Sequence, residues 1–413
     1  SNGQALAVIG NNIANLNTVG FKLSRATFAD VLSQSIGSGS TASQIGRGVT
    51  LDSVQRMFTQ GSFQSSSSET DLAIDGDGFF IVNDGNQNFY TRAGQFTFDE
   101  ESRLVNSSGH ILQGQLGDGL EGIVSAMTDL DFSPLISVAA HATGTARIVV
   151  NLESGSEEPA AWDIADPVNT SNFSTSLTVY DSIGEGHSLT IYFRKTATAG
   201  EWEYHVLANP NEVVGGAGTE EGGGGTLQFD ENGALDNETP TAGLTFDFIG
   251  ATAGQEIAFD FGTSITGDSG TGLDGTTQFA AASTAVFQSQ DGFAAGTLQS
   301  FSIDQSGRIM GNYSNGETIL LGQILLARFS NPQGLSSTGN NFFQESGLSG
   351  QPIIGEPGVA GRGSVSSNSL ELSNVDLGEQ FVQLITTQRG FQASSRVITA
   401  TDRLMDELVN LVR

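Results

Sequence analysis

The chain has 413 residues and a formal charge of −30, from 16 Lys+Arg against 46 Asp+Glu. Cations are scarce rather than acids abundant: Lys22 and Lys195 are the only lysines, too thin a footprint to neutralise phosphates, so nucleic acid is excluded and an anionic membrane surface disfavoured as a partner. Cysteine is absent, which removes disulfides, thiolate metal sites and thiol nucleophiles together.

The length fits two to four domains, at about 100 to 200 residues each, and no apolar run approaches the roughly 20 residues of a membrane span. The opening Ser1-Asn2-Gly3-Gln4 has neither the basic region nor the small-residue cleavage pattern of a secretory signal. Leu6, Ile9, Ile13 and Leu16 then recur at a 3-4-3 spacing, which predicts an amphipathic helix ended by Gly20, within a helical region 1–32. Residues 33–70 are rich in Ser and Gly and read as a linker or extended arm.

From residue 71 the apolar period changes to two. Alternating or aromatic-rich runs occur at 78–83, 89–98, 176–180, 188–194, 201–207, 226–229, 244–249, 256–261, 298–303 and 322–329, and they predict strands of antiparallel sheets. Turn signals stand at Asn106-Ser107-Ser108-Gly109, Asp181-Ser182-Ile183-Gly184, Glu231-Asn232-Gly233 and Asp304-Gln305-Ser306-Gly307. The expected fold is mainly β with α-helical termini, its β domains nested and discontinuous. Residues 71–143 and 287–354 form one domain, and 144–286 form an acidic domain inserted into it, with Gly215–Gly225 as a loop tip. Residues 355–375 read as a second arm.

The C-terminal segment 376–413 returns to a helical period. Leu377, Leu384, Phe391, Ile398, Met405 and Val412 keep a strict seven-residue spacing, widened by Phe381, Ile385, Val397, Leu404, Leu408 and Leu411. This predicts a long helix of coiled-coil character that pairs with the N-terminal one; two ordinary core helices would also satisfy the pattern. Asp376, followed three residues later by Glu379, reads as a capping box. Arg389, Arg396 and Arg403 also repeat every seven residues and must share one side, facing a channel, a neighbouring subunit or simply solvent.

No reactive constellation emerges. The four histidines, at 110, 141, 187 and 205, have no metal spacing, and phosphate loops, nucleophile elbows and dinucleotide fingerprints are absent. Asp75-Gly76-Asp77-Gly78 resembles part of a calcium loop, but the twelfth position, where a closing Glu belongs, is Asn86. The expectation is a non-enzyme with no catalytic, cofactor or metal residues.

Asn11-Asn12-Ile13-Ala14-Asn15, followed by Gly20-Phe21-Lys22, resembles the N-terminal signature of the bacterial flagellar rod and hook proteins. Asn374, Asp376 and Gln388-Arg389 lie in a segment similar to their C-terminal signature. The segments Leu177–Ser182, Thr226–Gly233 and Gly311–Asn315 resemble the hook type; a distal rod subunit is the alternative within the family, and a secreted acidic β-rich adhesin or calcium-binding surface protein is the alternative outside it. The resemblance implies a helical homopolymer outside the cell, exported by the flagellar type III system, whose paired terminal helices form an inner tube. It also implies rod, hook-cap and hook-filament junction proteins as partners. Family members usually carry further residues ahead of Gln4, so this chain is expected to begin inside a longer one.

Overall fold

A computed structural model describes residues 2–411 apart from 32–33, 37–42, 46–47, 119–121, 124–125, 215–219 and 241–243, with side chains described over the same range except 34–36, 43–45, 220–221 and 407–411. The chain divides into two compact units, the first made of Ser1–Leu135, Ser300–Asn312 and Thr318–Arg413, the second of Ile136–Gln299 and Tyr313–Glu317. The expected boundaries at 144 and 286 both fall inside the second unit. There Thr145–Asn151 pairs with Thr284–Gln290, so residues up to 290 belong with the inserted segment.

The first unit is built around Phe79–Asn83, a strand apolar at consecutive positions because it is central and covered on both faces. It pairs with Asn88–Thr91, Ile111–Leu116 and Leu326–Arg328. Phe79, Ile81, Tyr90, Phe329 and Phe343 close one face, with Phe58 set edge-on to Phe79 and Phe343 at 5.3 Å; each such side chain contributes about 1.5–3 kcal/mol by leaving water. The run expected as one strand from 89 to 98 is two, Asn88–Thr91 and Phe96–Phe98. It breaks because Arg92 turns inward to an ion pair with Glu371.

Described stretches of the expected arms form ladders, one of them between the two arms. Phe63–Ser65 pairs with Ser369–Glu371, and Leu72–Asp75 with Ser364–Ser367. Within the expected N-terminal helical region, Ser24–Asp30 is instead a strand paired with Val49–Arg56. Helix α1 spans Asn2–Ala14 and α2 spans Leu377–Leu411. α1 ends six residues before Gly20: the Asn15 amide still makes the helical bond to the Asn11 carbonyl at 3.2 Å, but the Leu16 amide reaches the Ile13 carbonyl at 3.3 Å, so the last turn tightens and the helix stops.

The second unit carries a five-stranded antiparallel meander of Phe173–Tyr180, Gly186–Lys195, Glu201–Ala208, Glu220–Phe229 and Leu235–Pro240. A smaller sheet places Thr145–Asn151 between Thr284–Gln290 and Ala258–Asp260; the last pairing is parallel, a departure from the all-antiparallel expectation. Trp202, Phe193, Ile191 and Val206 lie fully buried between these layers. Of the stretch expected as a loop tip, Glu220–Gly225 is strand, and 215–219 lie outside the described residues. Gly222 lies under the Phe246 ring and Gly225 under Tyr204, and a Cβ at Gly225 would meet the Tyr204 hydroxyl at 2.6 Å. Glycine here makes room for aromatic neighbours.

Among the described residues one turn recurs five times, four times with glycine at its third step and once, at Asp99, with Ser102 there at φ +60°. Asn106, Asp181, Asp230 and Asp304 each accept, on a single side-chain oxygen, the amides two and four residues on. The residue at the third step is a glycine with φ between +77° and +85°. An Asx side chain satisfies the turn's amides and glycine supplies the left-handed step, so this pattern in the sequence fixes hairpin ends. It also shows that the turn near Glu231 starts one residue earlier, at Asp230.

Candidate assembly site: the junction of the two chain ends

The signature residues of both termini converge in the first unit. Gly20 carries φ +68°, and a Cβ there would lie 2.5 Å from the Ala93 nitrogen and 2.6 Å from the Arg92 carbonyl carbon. No side chain fits, and the left-handed conformation also favours glycine. Its amide donates to the Glu371 carbonyl at 2.8 Å, which joins the N-terminal loop to the C-terminal arm. Phe21 is buried beside it.

Lys22 follows and is wholly buried. Its Nζ lies 2.6 Å from Glu371 Oε1, also wholly buried, and donates to the Thr59 carbonyl at 2.8 Å. The same Glu371 oxygen accepts the Gly61 amide at 2.8 Å. Its other oxygen faces Arg92 Nη1 at 3.4 Å, and Arg92 Nη2 donates to the Gly76 carbonyl at 2.7 Å. One carboxylate therefore gathers four separate segments of chain. Burial draws the Lys22 ammonium below its ordinary value, opposed by Glu371 and reinforced by Arg92; burial also lowers the Arg92 guanidinium, against the pull of Glu371 and Asp77. The turn that resembled a calcium loop thus serves the junction through the Gly76 carbonyl.

Two asparagines finish the connection. Asn12 accepts the Ser24 amide at 3.0 Å, donates to the Ser24 carbonyl at 2.8 Å and donates to Gln380 Oε1 of α2 at 3.1 Å. Asn374 accepts the Leu23 amide at 2.7 Å and donates to the Met57 carbonyl at 2.9 Å and the Thr59 carbonyl at 3.0 Å. Asp376 caps α2 by accepting the Glu379 amide at 2.9 Å. The expected reciprocal half of the box is not made, since Glu379 accepts from Gln383 instead.

α1 runs antiparallel along the first part of α2, from the Asn12–Gln380 bond to Asn2 beside Gly390. Ile9 is buried and Leu6, Ile13, Leu16 and Leu384 are half-buried, although Leu16 lies past the end of α1. Leu377 and Phe381 are exposed, and Phe391, Ile398 and Met405 are 52%, 64% and 60% exposed. Gln388, Arg389, Arg396 and Arg403 are exposed as well. Leu408 belongs to α2 with its side chain outside the described residues, and Val412 lies outside them altogether. Asn11 and Asn15 bond to each other rather than to another segment.

Glu371, Arg92, Thr59 and Gln380 were not singled out from the sequence. The available signal was Glu371 itself, a lone acid between Leu370 and Leu372, where an unpaired charge is costly enough that a buried partner should be sought. Nothing in this junction is arranged to react; it is a tie. Among the described residues no group of three or more His, Asp or Glu side chains could hold a metal ion, and no helix is long and apolar enough to cross a membrane.

Four stretches of the chain match known families, in order: the flagella basal body rod protein family over residues 2–22, the flagellar hook protein FlgE/F/G D1 domain over 73–150, the flagellar basal body protein FlaE D2 domain over 151–293, and the C-terminal family of the basal body rod FlgEFG proteins over 366–411. The class so defined is a flagellar axial protein, with both chain ends tied at one buried junction. Among similar proteins are the flagellar hook proteins FlgE of Treponema pallidum (36% identical, over 98% of this chain and 96% of that protein), Borreliella burgdorferi (38%, 98% and 95%) and Escherichia coli (35%, 98% and 96%). The crystal structure of Helicobacter pylori hook protein FlgE2 shares the fold over 75% of this chain and all of that one, with a TM-score of 0.54 at 16% identity. The chain belongs to the flagellar hook protein FlgE family and is a structural subunit of the flagellar hook.

Proposed function

We propose that this chain polymerises with its own copies into a curved tube, the joint between the rod and the filament, with paired α1 and α2 helices as its inner wall. The observation that carries this reading is the apolar stripe of α2. Gln380, Leu384 and Thr387, on the side that meets α1, are shielded, and a seven-residue step from Leu384 leads to Phe391, Ile398 and Met405 on that same side, all exposed. An isolated chain leaves this seam in water, and association with copies removes it. A contact between unlike surfaces whose rotation does not close produces a helical polymer.

Rod, hook-cap and hook-filament junction proteins are the proposed neighbours, the location is outside the cell, and the route is the flagellar type III system, for which a chain without disulfides is suited. A structural subunit needs no catalytic group, and this reading assigns none. Arg389, Arg396 and Arg403 are assigned to the channel or to a neighbouring subunit. Deletion of residues 376–413 tests the reading: the strand signal in circular dichroism should persist while electron micrographs show no filaments, and filaments formed by the shortened chain would refute it.

A further inference from the structure

Arg389, Arg396 and Arg403 each precede a residue of the apolar stripe by two positions, about 200° around the helix. They therefore occupy the side of α2 turned away from the one that α1 covers. All three are exposed, and among the described residues none makes an ion pair. The helix itself supplies little to neutralise them. The positions three and four residues from Arg389 and Arg396 are Ile385, Thr386, Gln392, Ala393, Thr399 and Ala400, none of them acidic; Asp406 and Glu407 stand near Arg403 alone. A seven-residue step advances about 10.5 Å, so the row presents a positive charge at regular intervals over two such steps.

The complementary charge lies elsewhere in the same sequence. Residues 196–307 hold 16 acids and no Lys or Arg, which in an extended strand is one acid about every seven residues, or roughly 23 Å at about 3.3 Å per residue. In the folded subunit these acids belong almost wholly to the second compact unit, and α2 belongs to the first. In a chain not yet folded they are a continuous polyanionic tape.

We propose that the arginine row is a guide for a second copy of this chain in its unfolded, acidic state, as that copy moves through a tube already built. The proposal rests on the tubular reading above and commits the row to the lumen. Exposed arginines on a surface interact with a moving polyanion through a field that raises its local concentration without a fixed geometry, and the attraction between solvated charges is weak enough to release it. Two other placements exist: pairing with acids of a neighbouring subunit, and a solvated stripe without a partner.

The test uses the full chain in motile cells, with R389Q/R396Q/R403Q and R389K/R396K/R403K variants of the resident hook. Two cargoes are secreted through each: the chain itself, and a version whose acids between 196 and 307 are replaced by Gln and Asn. Hooks of ordinary form should be counted by electron microscopy in both variants. Secretion of the acidic cargo should fall about tenfold through the Gln hook, the lower end of the range of electrostatic steering, and recover through the Lys hook, while the neutral cargo passes both at the same rate. Equal secretion of acidic cargo through all hooks overturns the guide. So does loss of hooks in the Gln variant alone, which assigns the row to a neighbouring subunit, and so does an equal slowing of both cargoes. An unaltered chain that builds no tube overturns the assembly reading itself, and the guide with it.

Discussion

Glu371 is the residue on which the junction turns, because its two oxygens hold Lys22 and Arg92 in a space closed to water. Replacing it by Gln preserves shape but leaves two buried cations with no anion. Removing one partner of a buried pair costs about 3–5 kcal/mol, so Glu371→Gln should lower stability by that order in denaturant titration, and a loss below about 1 kcal/mol would show that the cluster is already compensated by backbone carbonyls. A second residue sets an acid limit on the other unit. Burial would raise the Asp181 carboxyl, but hydrogen bonds from His187, Glu185 and Ile183 outweigh it and hold it below its ordinary 3.8. A lowered carboxyl adds stability that is complete above its unfolded value and lost as pH falls through the folded one. Asp181→Asn should therefore destabilise the chain at pH 7, and the gap between the two melting curves should close as pH drops below about 4; a gap unchanged at pH 3 would contradict the assignment.

At the scale of elements, α2 is the part whose sequence and surroundings disagree. It runs for 35 residues, about 53 Å, while α1, with 13, covers about 20 Å of it. Helices in water owe most of their stability to a packed apolar face, and beyond Gly390 that face is exposed at Phe391, Ile398 and Met405, with nothing packed on it among the described residues. Ile398→Glu places a charge in the middle of the uncovered stripe without touching the junction. It should leave the monomer's melting temperature within about 2 °C, because surface substitutions usually change stability by no more than about 0.5 kcal/mol, yet reduce polymer in sedimentation assays by at least tenfold. Full polymer yield with Glu at 398 would place the contact elsewhere. The period of seven was legible in the sequence because it is local. The end of α1 was not, since the apolar spacing runs on to Leu16 while the backbone has already tightened to the Leu16–Ile13 bond. Nor was the second arm's pairing with the first, because ladders between 63–65 and 369–371 join segments about 300 residues apart and carry no periodic mark.

For the whole molecule, charge and compactness pull against each other. The segment 196–307 has 16 acids without a Lys or Arg, and only Arg147, Arg194 and Lys195 lie near it in the second unit. Arg147 pairs with Asp260 and Arg194 with Glu158 and Glu203, while Lys195 donates to backbone carbonyls. Self-repulsion of a uniformly charged body is relieved by salt. Unfolding of this unit should therefore move to higher temperature as salt rises from about 0.01 M to about 0.1 M, over which the screening length shrinks from about 30 Å to about 10 Å. A scan in which the transition stays fixed or falls would mean that the acids are individually solvated and do not sense one another.

Composition, apolar period and turn chemistry by themselves determined that this protein is β-rich with helical ends, that it is poor in cations, and that its hairpins close at Asn106, Asp181 and Asp304; each of these depends on residues close together in the chain. The resemblance of its two ends located the signatures without explaining them. Only the tertiary structure decided that Gly20 is required by the approach of Arg92 and Ala93, that Lys22 and Arg92 share the carboxylate of Glu371, and that Asn12 and Asn374 tie α1 and α2 to the intervening arms. Those facts join residues far apart in the chain, and their energy comes from exclusion of water. A linear sequence records which charges exist, but only the fold removes the water that makes their pairing obligatory.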